Sequence, residues 1–221
     1  MGRVVVIDGP AGSGKSTTAV SLARKLGYLY LDTGAMYRAL TLKFLRINFK
    51  TFDDKKALRD ILNSTSLRIE PAAAGLQIFL DGQNVTEQIR DDEVDKFVSV
   101  VSAVPEVREY LQERQKYFAR QFDLVAEGRD LGTFVFPKAD VKIFLVAELE
   151  IRAGRRLKQK RAPTNLLEQF RQNLAERDRI DSGRKHSPLK KAEDAIEIDT
   201  SRLKFDEQVD KIYAICRQKF G

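Results

Sequence analysis

The chain has 221 residues, 43% of them apolar and 32% charged, a composition that supports a folded core and excludes a disordered or fibrous chain. At roughly 150 residues per domain this length allows one full core and a small accessory lobe. The net charge of +7 predicts affinity for anions, which leaves nucleic acid, anionic membranes and phosphorylated metabolites open. A single cysteine, Cys216, and a single histidine, His186, make no internal disulfide and a poor zinc inventory, so a reducing cytoplasm is expected. The apolar run at 4–7 is too short for a signal-peptide core. No later run reaches the length of about 18 residues that a bilayer demands, so a soluble protein is expected.

Residues 4–7 are a β-branched run that stops at Asp8-Gly9-Pro10, which predicts a buried parallel strand ending in a loop. A helix is predicted over 16–26, where Ala19, Leu22, Ala23 and Leu26 form one apolar stripe and Gly27 caps the end. A strand over 28–31 and a helix over 33–45 follow. This order points to an α/β fold, a parallel sheet flanked by helices. The rhythm then changes to a charged helix over 53–63, strands over 67–70 and 76–80, and a turn at Asp81-Gly82-Gln83-Asn84. Helices over 87–101 and 105–122 come next, the second opened by Pro105. Residues 51–104 are therefore read as a lobe inserted into a core made of 1–50 and 105–221. Strands over 124–126 and 141–146 restore the α/β pattern. Helices over 148–160 and 166–180 are separated by Ala162-Pro163-Thr164-Asn165, before a last strand over 195–198 and a closing helix over 205–219.

Gly9-Pro10-Ala11-Gly12-Ser13-Gly14-Lys15-Ser16 matches the G-x-x-x-x-G-K-[ST] phosphate loop, with a strand before it and a helix after it. The glycines let successive N–H groups point at one anion, and the helix start adds its positive dipole end. Lys15 can reach terminal phosphates, while Ser16 or Thr17 offers a hydroxyl to Mg²⁺. Such a loop marks a P-loop NTPase-type nucleotide site without naming the reaction.

Phosphoryl transfer brings two anions together, and arginines at fixed places answer their repulsion. Arg38 lies about one and a half turns into the helix after the second strand, and Glu127-Gly128-Arg129-Asp130 follows the strand at 124–126. Both should open on the sheet edge that carries the phosphate loop. Arg152, Arg155, Arg156, Lys158, Lys160 and Arg161 form a basic run, in which Arg152 and Arg156 share one helix face. Arg177, Asp181 and Arg184 can likewise project together. The two basic runs flank the break at Pro163 and suggest a mobile lid over about 156–166 that closes on a triphosphate. Residues 150–191 hold 13 basic and five acidic side chains, so this segment carries +8 and the rest of the chain −1. A nucleotide-gated RNA- or DNA-binding protein is the rival reading of the basic charge, but it expects exposed aromatics on a broad basic face.

With these residues in hand, the sequence resembles the bacterial cytidylate kinases, P-loop nucleoside monophosphate kinases. The resemblance rests on residues 7–17, on Leu31-Asp32-Thr33-Gly34-Ala35-Met36-Tyr37-Arg38, on Glu127 through Pro137, and on Glu176 through Ser182. It implies that Gly9, Pro10, Ala11, Gly12, Ser13, Gly14, Lys15, Ser16 and Thr17 bind ATP. Thr33 would stand near the acceptor, with Arg38 and Arg129 on the CMP phosphate. Ser99, Arg108 and Asp130 would read the cytosine, since a carboxylate accepts from the amino group that uracil lacks. Arg177 and Asp181 would contact the ribose, and Arg184 would lie between sugar and phosphate. Lys15, Arg38, Arg129, Arg152, Arg156 and Arg184 would stabilise the transferring group. The implied activity is ATP-dependent phosphorylation of CMP or dCMP with Mg²⁺, in pyrimidine nucleotide salvage. A cytoplasmic monomer with no nucleic-acid or membrane partner is expected. Uridylate, shikimate and dephospho-coenzyme A kinases share the fold, and the cytosine-reading set separates them. His186 and Cys216 receive no role.

Overall fold

Uninterrupted β-branched runs build strands that are buried on both faces. In the computed structural model, which describes residues 2–72 and 75–221, the first of these is β1 (Val4–Asp8), buried along its whole length. The chain continues through α1 (Lys15–Leu26), β2 (Leu29–Asp32) and α2 (Thr33–Arg46). Gly27 closes α1 in the left-handed conformation with φ 70°, as the sequence predicts. Next come α3 (Lys55–Ser64), β3 (Leu67–Ala72), β4 (Gly75–Leu80), β5 (Gln83–Asn84), α4 (Asp92–Val101) and α5 (Pro105–Gln121). The chain ends with β6 (Leu124–Gly128), β7 (Val141–Val146), α6 (Leu149–Gln159), α7 (Leu167–Gly183), β8 (Ile196–Asp199) and α8 (Phe205–Phe220).

The main sheet runs β2-β6-β1-β7-β8, and every pairing in it is parallel. Side chains alternate between two cores, as the strand period of two requires. Val4 and Val6 face a core built with α2, α3, α4 and α5, whereas Val5 and Ile7 face one built with α1 and α8. Cys216 belongs to the second core, fully buried, and burial pushes its thiol up to about 11. It is a packing residue, as its place on the closing helix suggested.

Residues 51–104 divide between cores. Leu58 and Leu62 of α3 and Val98 and Val101 of α4 join the first core. The antiparallel sheet β3-β4-β5 instead packs Ile78 and Leu80 with Val85 and Ile89 against Ala35 and Ala39 of α2. Two local expectations change here. The turn at 81–84 is a hairpin, because Gln83 and Asn84 pair back onto Leu80 and Phe79. The helix expected over 87–101 is split into a single turn, Gln88–Arg90, and α4. Asp91 is extended between them (φ −64°, ψ 152°), where an acidic residue ahead of Asp92 and Glu93 favours a new helix start. No helix among the described residues is long and apolar enough to cross a membrane.

Candidate active site

The loop after β1 curls at Gly9 (φ 146°), where a Cβ would lie 2.1 Å from the Leu145 carbonyl oxygen. It enters α1 through Gly14 (φ 94°), and no side chain caps that helix or places an acid in its first turn. The positive end of α1 therefore faces the loop with no acidic residue of its own in the first turn. Lys15 is buried and donates to the Pro10 carbonyl at 2.6 Å. Burial and the nearby Arg129 guanidinium hold its ammonium well below the ordinary lysine range. Arg152 braces the loop from beneath, donating to the carbonyls of Ala11 (3.1 Å) and Ala147 (3.0 Å) and pairing with Asp178 at 2.5 Å.

A second loop rises beside it because β6 pairs with β1 in register, Asp8 opposite Gly128. The Asp8 carboxylate accepts from the backbone N–H of Leu131 (3.1 Å) and of Gly132 (2.7 Å). It so fixes the start of a helical turn, Leu131–Val135, that follows directly on Arg129 and Asp130. Burial raises the Asp8 carboxyl to about 6, against the pull of those two hydrogen bonds. A folded-state value above the unfolded one favours the fold at acid pH, an advantage lost as pH rises through about 6. The stability of the chain, and with it Tm, should therefore gain from this group as pH falls from 7 towards 5, by on the order of 1 kcal/mol over that range. An Asp8→Asn variant should lose that gain in a calorimetric pH series; an unchanged slope would refute the assignment.

Between the two loops lies a cavity of about 400 Å³. Lys15, Arg38, Arg129, Arg156, Arg177 and Arg184 all line it. Arg129 pairs with Asp181 at 3.0 Å, and Arg184 also pairs with Asp181 while donating to Ser102 Oγ at 2.7 Å. Burial, with Arg129 and Arg38 close by, depresses Arg177 to about 9. Arg129 acts in the opposite sense on Asp181, where it and Arg184 overcome burial and hold the carboxyl below its usual range. At one end of the cavity Arg108 and Asp130 form a buried ion pair, and Arg108 also donates to the Ser102 carbonyl at 3.0 Å. Asp130, Thr33 and Asp181 line the same space.

Five of the predicted site residues do not line this cavity. Arg152 is consumed beneath the phosphate loop, and Ser99 is buried on α4 while Ser102, three residues on, faces the site. Gly9, Pro10 and Ser13 likewise form the base of the loop, whereas Ala11, Gly12, Gly14, Lys15, Ser16 and Thr17 reach the cavity.

On the far side of Lys15, Glu127 accepts from Tyr30 Oη (2.6 Å) and Ser16 Oγ (2.9 Å). Burial and the adjacent Asp32 carboxylate raise Glu127 above the usual range. Two carboxylates and a hydroxyl, all oxygen donors, fit a hard divalent cation that completes its shell with phosphate oxygens and water. The Thr17 hydroxyl instead donates back to the Gly14 carbonyl at 3.0 Å, which leaves Ser16 as the hydroxyl facing the carboxylates.

Several residues of the site were not singled out from the sequence. Arg155, seen only as one of a basic run, lines the cavity and donates to Ser13 O (3.4 Å) and to Thr200 Oγ1 (2.9 Å). Gln159 and Ser102 line it too. The spacing of four that joined Arg152 to Arg156 gave the helix face but not its phase against the loop.

A cytidylate kinase family profile matches residues 5–218. The cytidylate kinase of Listeria monocytogenes serovar 1/2a is 48% identical over 219 residues, covering 98% of this chain and 97% of that protein. The cytidylate kinase of a Geobacillus species is 46% identical over 220 residues, with 98% and 97% covered. Among solved structures, an uncharacterized protein from Eubacterium ventriosum superposes with a TM-score of 0.53 at 11% identity, covering 99% of both chains, a likeness of fold alone. Profile and relatives span nearly the whole chain, phosphate loop and arginine cavity included, so the chain is a kinase and belongs to the cytidylate kinase family.

Proposed function

We propose that the chain transfers the γ-phosphoryl group of ATP to CMP or dCMP, giving ADP and CDP or dCDP, as a cytoplasmic monomer. The single observation that carries this reading is the convergence of Lys15, Arg38, Arg129, Arg177 and Arg184 on one cavity whose end wall is the Arg108–Asp130 pair. Lys15 and Arg177 are both depressed by burial among other cations, so the missing partner is an anion. Asp130 and Arg108 supply the acceptor and donors that a cytosine edge needs.

The phosphate loop and Lys15 hold the donor phosphates, while Arg38 and Arg129 hold the acceptor phosphate. Arg177, Asp181 and Arg184 orient the sugar, and Arg156 meets the transferring group. An acceptor phosphate oxygen bonds to the γ-phosphorus as the bond from that phosphorus to the β–γ bridging oxygen breaks, and the electron pair leaves on ADP. A phosphate monoester is already anionic near neutral pH, so no side chain need remove a proton. Ser16, Glu127 and Asp32 would hold Mg²⁺, which supplies charge neutralisation for the phosphates. Residues 51–104 act as the nucleotide-binding lobe and 156–166 as the lid that excludes water.

The test is an acceptor panel of CMP, dCMP, UMP and shikimate with Mg²⁺ and ATP, read by chromatography of the products. CDP and dCDP should form, with UMP used at least about a hundredfold less efficiently because its edge cannot donate to Asp130. No CDP from CMP would end the reading.

A further inference from the structure

Asp95, on α4, stands outside every motif in the sequence, yet it ties three elements together. Its Oδ1 lies 2.5 Å from Arg38 Nη2, and its Oδ2 accepts from Arg156 Nη2 at 2.5 Å and lies 3.2 Å from Lys160 Nζ. Arg38 comes from α2, Arg156 from α6, and Lys160 from the cap of α6, where it also donates to the Arg90 carbonyl (3.1 Å) and pairs with Asp92 (2.8 Å). The carboxylate is largely shielded, with 17% of its side chain exposed. Burial alone would raise it, and the Arg38 and Arg156 guanidiniums more than reverse that.

Arg38 and Arg156 both line the nucleotide cavity, and Asp95 does not. Two carboxylate oxygens shared between two guanidiniums and an ammonium reproduce the contacts a phosphate group makes with such cations. A phosphate entering the cavity therefore meets two arginines that already have an anion.

We infer that Asp95 is an internal competitor for substrate phosphate at Arg38 and Arg156, and that nucleotide entry exchanges a strap between α4 and α6 for phosphate contacts. The inference rests on the reading of Arg38 and Arg156 as phosphate-side groups. Asp95 is a positioning residue: it sets where these arginines point before substrate arrives and weakens substrate binding by the strength of its own pairs.

The competition is tested by calorimetric titration of inorganic phosphate and of CMP into the full chain and its Asp95→Asn, Asp95→Glu and Asp92→Asn variants. Asp92 pairs with Lys160 alone and is 81% exposed, so its loss removes one charge from the same helix without freeing either arginine. Asp95→Asn should bind both ligands about fivefold more tightly, the size expected for a charge pair at the edge of solvent. Asp95→Glu should return to within about twofold of the unmodified chain, and Asp92→Asn should stay there, because an exposed carboxylate that touches neither arginine is largely screened. In steady-state assays of Asp95→Asn the KM for CMP should fall in step with Kd while kcat moves by less than about twofold. Equal or weaker phosphate binding by Asp95→Asn, an equal gain in Asp92→Asn, or a fall in kcat at constant KM would overturn the competition. Absence of any CMP binding by the unmodified chain would overturn the reading of the site and the competition with it. The two failures are distinct, since the first leaves wild-type CMP turnover intact.

Discussion

A Lys15→Met variant should lose about 10²–10³-fold in kcat for phosphoryl transfer to CMP and yet melt no earlier than the unmodified chain in phosphate-free buffer. The two effects come from one arrangement. Lys15 is buried, folded onto the Pro10 carbonyl and crowded by Arg129 and Arg177, so its charge is unfavourable until an anion arrives. Methionine keeps most of the stem volume and removes that charge. A basic group depressed in the folded state opposes folding while the unfolded chain still holds the proton, and deleting it deletes the opposition. On the proposed function the same ammonium meets the donor phosphates, so its removal costs turnover. Calorimetry with and without phosphate reads the first effect and a coupled ADP assay the second. Phosphate should raise the Tm of the unmodified chain more than that of the variant. A lower Tm for the variant in phosphate-free buffer would mean that Lys15 stabilises the empty site.

Asp130→Ala should damage fold and specificity together. Asp130 is the carboxylate facing Arg108, and both are nearly inaccessible to solvent. Removing one partner of a buried pair leaves an uncompensated guanidinium, at a cost of about 3–5 kcal/mol. For a chain of this size that lowers Tm by roughly 10 °C. The kcat/KM for CMP should fall by about 10³-fold, since a buried polar group left unpaired discriminates strongly. The KM for ATP should stay within about threefold, because the phosphate loop is braced separately by Arg152 and Asp178. Asp130→Asn preserves shape and separates the two consequences: Tm should recover in part while CMP turnover stays low. Equal losses on CMP and ATP would count against a role in reading the base.

What could be read from the chain was local or periodic. The phosphate loop, the strands at 4–7 and 141–146 and the glycine cap at 27 announce themselves within a few residues, the first strand running one residue further to Asp8. The turn at Leu131–Val135 was invisible because its apolar, aromatic composition carries no helix signal. It holds through the carboxylate of Asp8, more than a hundred positions away. Asp95 was equally hidden, since helix spacing relates it to Asp92 but not to Arg38 or Arg156, which α2 and α6 bring to it in space. Arg152 and Arg155 show the same limit: composition marked the run as cationic, and only packing against Ala11 and Thr200 decided which side chain lies under the loop and which beside the cavity.

The pairing of Asp8 with Gly128 has a mechanical consequence. On the proposed function the donor-side and acceptor-side loops spring from neighbouring strands, so their roots are held one ladder spacing apart, roughly 4.8 Å. Side-chain motion can trim that gap but cannot open it, because both strands are buried along their whole length. An insertion within β6 would be ruinous where the same insertion in a surface loop is harmless: one step of slip turns each strand residue to the opposite face and carries Arg129 away from its phosphate. The sheet would thus be the ruler of the proposed reaction.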